Sequence, residues 1–470
     1  MWRNSLLFRH PFTGYVTFAR FRPNERWEYI IAPPLPSCIA ITGMSFGYCG
    51  SKLSAVHVGK SEKSESRRSA LVRKATIVNL QTRPAEYDKK VALVLQGGGA
   101  LGSYQCGVYE ALSHSDYQPH WVAGISIGAI NAALIAGNEP DQRIARMKEF
   151  WNSITTPPTP FEQLSAATGT TALGSMLNKQ ISSMHALMFG QSQFFKPRSP
   201  VEWMFGQTPT SFYDTQDLKS TLERLVDFDR INAQEMRFSV GAVNVRTGNF
   251  AYFDNADIAI RPEHVMASGA LPPGFPAVEI DGEHYWDGGL VSNTPLQYVI
   301  EYMPRRSHLV FQVDVFPARG ALPKNMSEVG ERDKDIRYSS RTRAGTDSLA
   351  RLHDLRHNIN LLWDKIPGEL RSSPAGGFLN EFRCVTTMDI VELIYRPDTP
   401  QGQSKDFEFD RLTMEARWAA GLADAVKTLR AAPWLEPIAP EVGARTFDVS
   451  NVASSPAARS SAMTGAENPE

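Results

Sequence analysis

Cysteine is scarce in this 470-residue chain. The four present, Cys38, Cys49, Cys106 and Cys384, are too few and too scattered for a disulfide framework or a zinc site, and fit a reducing compartment. Excess charge is also missing. A formal net charge of −1 removes any bulk attraction to nucleic acid or to a strongly acidic partner. No apolar run reaches the roughly 18 to 20 residues that a membrane-spanning helix needs. Leu6-Leu7-Phe8 is too short for a signal h-region. No cluster shows metal-ligand spacing, and no cofactor is implied. The expectation is a cytoplasmic protein with at most peripheral contact to a membrane surface. Hydrophobic residues make up 42% of the chain, enough for a substantial core over two or three domains.

Aspartate is absent from the first 75 residues, which carry 12 Lys or Arg against four Glu. Basic, serine-rich and acid-poor, this stretch fits an organellar targeting region, a disordered arm or translated sequence upstream of the true start. Pro11, Pro23, Pro33, Pro34 and Pro36 argue against a long targeting helix. Residues 1–88 are expected to be disordered and dispensable to the fold. Residues 431–470, rich in Ala, Pro and Ser, are expected to be disordered as well.

The most informative stretch is Val91 to Gln96, an apolar run that ends abruptly in Gly97-Gly98-Gly99-Ala100-Leu101-Gly102. It reads as a buried parallel strand feeding a glycine turn and then a helix over Ser103–His114. Consecutive glycines allow positive φ and bring bare N–H groups close to a ligand. Gly124-Ile125-Ser126-Ile127-Gly128 repeats the pattern 22 residues after Gly102. Trp121 to Ile125 is a short strand and Ile127 to Ala136 a helix start, so Ser126 lies on the tight turn with the Ile127 amide free to donate. A right-handed crossover makes the two strands parallel, which puts the glycine loop and Ser126 on one edge of the sheet.

Further strands are expected at Arg237–Val245, Ala277–Ile280 and Leu309–Val315, with a helical insertion over about 146–231. A hairpin turned at Asp281-Gly282 delivers Asp287 just before Gly288-Gly289. Alone, Asp-Gly-Gly reads as an ordinary turn. Beside a serine it offers what an ester-attacking hydroxyl requires, a carboxylate whose pKa desolvation raises toward neutrality.

These three motifs, in this order, resemble those of patatin-like phospholipases. The block Ala267-Ser268-Gly269-Ala270-Leu271-Pro272-Pro273-Gly274-Phe275-Pro276 before the hairpin and Asn293-Thr294-Pro295 after it strengthen the likeness, which covers residues 89–316. The resemblance implies a three-layer α/β/α fold with a central, mostly parallel sheet. It implies Ser126 as nucleophile, Asp287 as general base and no catalytic histidine. The oxyanion hole would be drawn from Gly97, Gly98, Gly99 and Ile127, with Gly102, Gly124, Gly128, Gly288 and Gly289 completing the motifs. A lipid ester would acylate Ser126, and water activated by Asp287 would release the fatty acid. One departure is Leu101, where many family members carry Arg or Lys in the glycine loop; it makes a neutral ester more plausible as substrate.

Phe150-Trp151, Met184 to Phe189, Phe194-Phe195 and Trp203 to Phe205 crowd the insertion with aromatic and Met side chains, either as its own core or as a lid and acyl wall that also docks on a bilayer. Residues 317–430 read as a C-terminal α/β extension. Leu349, Leu352, Leu355, Ile359 and Leu362 recur at helical spacing beside a charged face expected to be solvated, followed by a strand over Val385–Tyr395 and a helix over Leu412–Leu429.

Three rival readings remain at this level. A dinucleotide module lacks the acid expected about 20 residues after its glycines. An α/β-hydrolase triad would draw its histidine from His308, His353 or His357. A catalytically silent lipid-binding or scaffolding protein would keep the fold while the extension carries the biology. His185, His264 and His284 read as structural or surface residues.

Overall fold

The computed structural model describes residues 5–9, 16–22, 26–32, 80–158, 188, 190–191, 193–199, 202 and 209–449. The chain divides into two compact units, Met1–Arg67 and Arg68–Glu470. In the first, β1 (Ser5–Arg9), β2 (Val16–Arg22) and β3 (Arg26–Ala32) form an antiparallel meander. These three strands fall within residues 1–88. The strand signal is local, in runs such as Trp27-Glu28-Tyr29-Ile30-Ile31, and a charge count averaged over 75 residues hides it.

The second unit is built on one large sheet. Its early strands are β4 (Lys90–Leu95) and β5 (Trp121–Gly124), while β6 (Lys196–Pro197) and β7 (Tyr213–Asp214) form a separate small ladder. The sheet continues through β8 (Arg237–Asn244), β9 (Phe250–Asp254), β10 (Val278–Ile280), β11 (Glu283–Asp287), β12 (His308–Asp314), β13 (Met388–Ile394) and β14 (Ala444–Phe447). Strand order is β10-β11-β8-β5-β4-β12-β13-β14, with β9 also on β8. Pairing is parallel from β8 through β14 and antiparallel for β9, β10 and β11.

Helices cover both faces. They are α1 (Ser103–Ser113), α2 (Ile127–Ala136), α3 (Arg143–Ser153), α4 (Gln216–Leu225), α5 (Phe228–Asn232), α6 (Pro262–Ser268), α7 (Leu296–Glu301), α8 (Met326–Trp363), α9 (Gly368–Arg371), α10 (Pro374–Phe382) and α11 (Arg411–Ala431). Along β4, Val91, Leu93 and Leu95 face a core shared with α1, α2, α3 and α11, whereas Ala92 and Val94 face a second core with α7 and α8. Burial on both faces explains why β4 reads as a continuous apolar run rather than an alternating one. The architecture is a three-layer α/β/α fold.

Residues 317–430 continue this sheet: β13 pairs with β12, and α11 lies against α1. The two helices touch backbone to backbone, since a Cβ built at Gly107 would lie 1.9 Å from the Trp418 carbonyl oxygen and one at Gly421 2.0 Å from that of Tyr104. The charged face of α8 is partly buried rather than solvated. His353 and His357 reach the Thr386 carbonyl oxygen, and Asp354 accepts from the N–H groups of Gly443 and Ala444, because this face packs on strand ends whose backbone needs partners. Leu355 and Leu362 are exposed in exchange.

Phe150 and Trp151 on α3 belong to the core, and Phe194 and Phe195 pack with Tyr213, Phe275 and Phe409 in one aromatic cluster. Of the other insertion residues singled out by sequence, Met188 is described and exposed, and the rest lie outside the described residues. No helix among the described residues is long and apolar enough to cross a membrane.

One topological detail places the site. Strand β5 pairs with β8 up to Gly124 opposite Val240, and β11 pairs antiparallel with β8 down to Asp287 opposite Ala242. Since β9 occupies the other edge over Ser239–Val243, β5 and β11 lie on the same edge of β8 and meet end to end at Gly241. The residues that leave these two strands must be neighbours.

Candidate active site

Ser126 follows β5 and caps α2 with φ 55° and ψ −123°, a conformation that a residue with a Cβ rarely adopts. Its N–H donates to both the carbonyl oxygen and the Oγ of Ser268, at 3.1 and 3.0 Å, and Ser268 Oγ donates in turn to the Gly241 carbonyl oxygen at 2.7 Å. The Asp287 N–H donates to the Ala270 carbonyl oxygen at 3.0 Å. The Ala267–Ala270 stretch is thus a buttress behind both candidate residues. The strain at Ser126 is testable. Ser126→Gly is expected to be about 1 kcal/mol more stable than Ser126→Ala in urea unfolding, because glycine alone adopts this φ freely. Equal stability would show that the elbow is not strained.

Asp287 is buried where β11 ends. Its carboxylate accepts the Gly289 N–H at 2.7 Å and lies close enough to the Ser126 hydroxyl for that hydroxyl to favour the charged form. Burial pushes its pKa up to about 7, and the Gly289 N–H and the nearby Ser126 hydroxyl hold it from rising further. A carboxylate in this range, beside a serine hydroxyl, can both accept and return a proton near neutral pH.

The glycine loop runs alongside. A Cβ built at Gly97 would lie 3.1 Å from the Ser126 Cβ. Gly97 is a framework residue and not a free donor, because its N–H is spent on the Asn293 carbonyl oxygen at 3.1 Å while Asn293 Nδ2 donates back to the Gly97 carbonyl oxygen at 3.1 Å. Among the described residues, the N–H groups of Gly98, Gly99 and Ile127 have no acceptor. Gly99 takes φ 55°. Gly128, by contrast, donates to the Ile125 carbonyl oxygen.

Beneath the loop lies a buried polar network that sequence reading missed. Gln96 Oε1 accepts from the N–H groups of Val315 and Phe316, and its Nε2 donates to Thr294 Oγ1, which is linked to Asp314. Gln105 donates to the Gln96 carbonyl oxygen, and Asn131 bridges Gln105 Oε1, the Gly102 carbonyl oxygen and Trp151 Nε1. A polar residue at the end of an apolar strand, such as Gln96, was the available signal.

The candidate histidines lie elsewhere. His308 opens β12 at the opposite end of the sheet, and His353 and His357 serve Thr386 before β13. His264 accepts the Arg261 N–H inside α6 and His284 lies in β11, while His185 is outside the described residues. Cys106 and Cys384 are free thiols.

A serine elbow and a buried carboxylate at the carboxyl edge of a mostly parallel sheet, beside a glycine loop, define a hydrolase-type α/β site. A family model described as patatin-like phospholipase matches residues 93–300, and a second, described as patatin phospholipase, matches residues 336–441. The chain belongs to the patatin-like phospholipase family, whose members are lipid hydrolases. No curated protein matches it. Among solved structures it is similar to VipD from Legionella pneumophila, at 15% identity over 75% of this chain and 70% of that one, with TM-score 0.29. It is also similar to human GIVD cytosolic phospholipase A2, at 13% identity over 88% and 74%, with TM-score 0.28. At TM-scores this low, neither adds to the case.

Proposed function

We infer that the chain is a serine lipid acyl hydrolase acting through Ser126 and Asp287. The observation that carries this reading is the strained Ser126 elbow set beside a buried carboxylate, Asp287, where β5 and β11 meet end to end, with its pKa raised by burial to about 7. Asp287 takes the hydroxyl proton as Ser126 Oγ attacks the ester carbonyl carbon, and the oxyanion is received by the Gly98, Gly99 and Ile127 amides. Collapse returns the proton to the leaving alcohol and leaves an acyl-serine. Water, deprotonated by Asp287, then adds to the acyl carbon; the fatty acid leaves and Ser126 regains its proton. Peripheral contact with a lipid surface belongs to the same reading, since the substrate resides there.

The test is fatty-acid release from mixed micelles of phospholipid and neutral glycerides, wild type against Ser126→Ala. Release by the wild type alone supports the reading, and the preferred lipid identifies the headgroup class. Release by neither supports the silent lipid-binding alternative, and equal release by both removes Ser126 as nucleophile.

A further inference from the structure

The glycine loop has no cation of its own, because position 101 is a fully buried leucine. A cation nevertheless reaches the loop from the C-terminal extension. Arg417 on α11 donates from one terminal nitrogen to the Ala100 carbonyl oxygen, at 3.3 Å, and to that of Glu408, also at 3.3 Å. Its other terminal nitrogen donates to the Lys405 carbonyl oxygen and to Glu408 Oε2, both at 3.0 Å, and to Gln401 Oε1 at 3.2 Å. The Arg417 and Glu408 side chains are 0% and 1% exposed, so this is a wholly desolvated pair.

What Arg417 holds in place is the segment Gln401–Glu408, and that segment backs the loop. A Cβ built at Gly99 would lie 2.3 Å from the Asp406 carbonyl oxygen. The segment is tied from the opposite side as well. Lys405, 2% exposed at its side chain, pairs with Asp335 at 2.5 Å and Glu331 at 3.4 Å on α8, and Lys334 pairs with Asp406 at 2.6 Å. Tyr338 lies on the same helix and stacks on Phe316. Its phenol is pushed up by burial and then by the carboxylates of Asp406 and Asp287, which puts α8 within electrostatic reach of the site.

We propose that Arg417 is a positioning residue that, through Gln401–Glu408, fixes the Gly98–Gly99 amides in the geometry that receives the oxyanion. The extension then serves as the outer wall of the oxyanion loop. The desolvated geometry favours this role over a purely stabilising one. Burying an ion pair gains little net stability over apolar residues of similar volume, whereas a planar fork with several acceptors fixes relative positions.

The proposal rests on the serine hydrolase reading, and the experiment keeps the two apart. An Arg417→Met/Glu408→Met double variant removes the fork while keeping the site apolar and filled, and Arg417→Lys keeps the charge but cannot reach all the acceptors. Both are assayed for kcat, KM, thermal midpoint and inhibition by a long-chain trifluoromethyl ketone, whose serine adduct carries the oxyanion. For the double variant we expect kcat to fall about 100-fold, KM to stay within about threefold and inhibitor affinity to fall in step with kcat, as for a loop displaced by about 1 Å. Arg417→Lys should lie between, and decides the matter if the double variant does not fold. A merely structural role would lower the thermal midpoint or the folded fraction and leave the inhibition constant of folded protein unchanged. A folded variant with wild-type kcat and inhibitor affinity overturns the proposal. Activity retained in Ser126→Ala would overturn the underlying reading instead.

Discussion

Asp287→Asn is expected to be both inactive and, above pH 7, more stable than the wild type. The activity loss follows because an amide cannot take the Ser126 proton; kcat/KM of the wild type should likewise fall as pH drops through about 7, where the carboxylate becomes protonated. The stability gain follows from linkage. Unfolded, the carboxyl titrates near its ordinary 3.8, whereas burial raises it to about 7 in the folded chain. Between these values the folded state binds the additional proton, so stability declines as pH rises through the window and stays low above it. Asparagine removes this penalty. Three pKa units bound the effect at about 4 kcal/mol, reduced by the weaker bond an amide accepts from Gly289. Thermal midpoints measured from pH 4 to 8 should coincide at the acid end and diverge by several degrees at pH 8. Coincidence throughout would show that Asp287 is not desolvated as the geometry requires.

Ser126→Ala is expected to lose at least about 10⁴-fold in kcat, since removing the nucleophile leaves only binding and oxyanion stabilisation. Because hydroxyl and carboxylate act as a unit, the double variant with Asp287→Asn should be no slower than Ser126→Ala alone. Additive losses, measured by single-turnover ester hydrolysis, would mean that the two residues act independently.

The three-motif core was legible because each motif states its backbone geometry locally. An apolar run stopped by glycines can only be a strand entering a turn, and Ser126 between Gly124 and Gly128 marks an elbow. The end-to-end meeting of β5 and β11 on β8 was not legible, since it depends on two long-range registers at once, Gly124 opposite Val240 and Asp287 opposite Ala242. The bond from the Gly97 N–H to the Asn293 carbonyl oxygen was not legible for a related reason, because no spacing rule connects the two residues. Arg417 escaped notice because an arginine on an amphipathic helix ordinarily reads as exposed. Only the packing of α11 on α1 shows that it points at Ala100. The strands of residues 5–32 were masked by a composition average in which Lys, Arg and Pro outweighed short alternating runs.

The most direct test of the central claim is covalent capture. Wild type, Ser126→Ala and Asp287→Asn are incubated with a long-chain alkyl fluorophosphonate and examined by intact mass and peptide mapping. The serine–carboxylate account predicts one adduct per chain in the wild type, mapped to Ser126, none in Ser126→Ala, and labelling slowed by orders of magnitude in Asp287→Asn. Stoichiometric labelling at another residue, or undiminished labelling of Ser126→Ala, would contradict it.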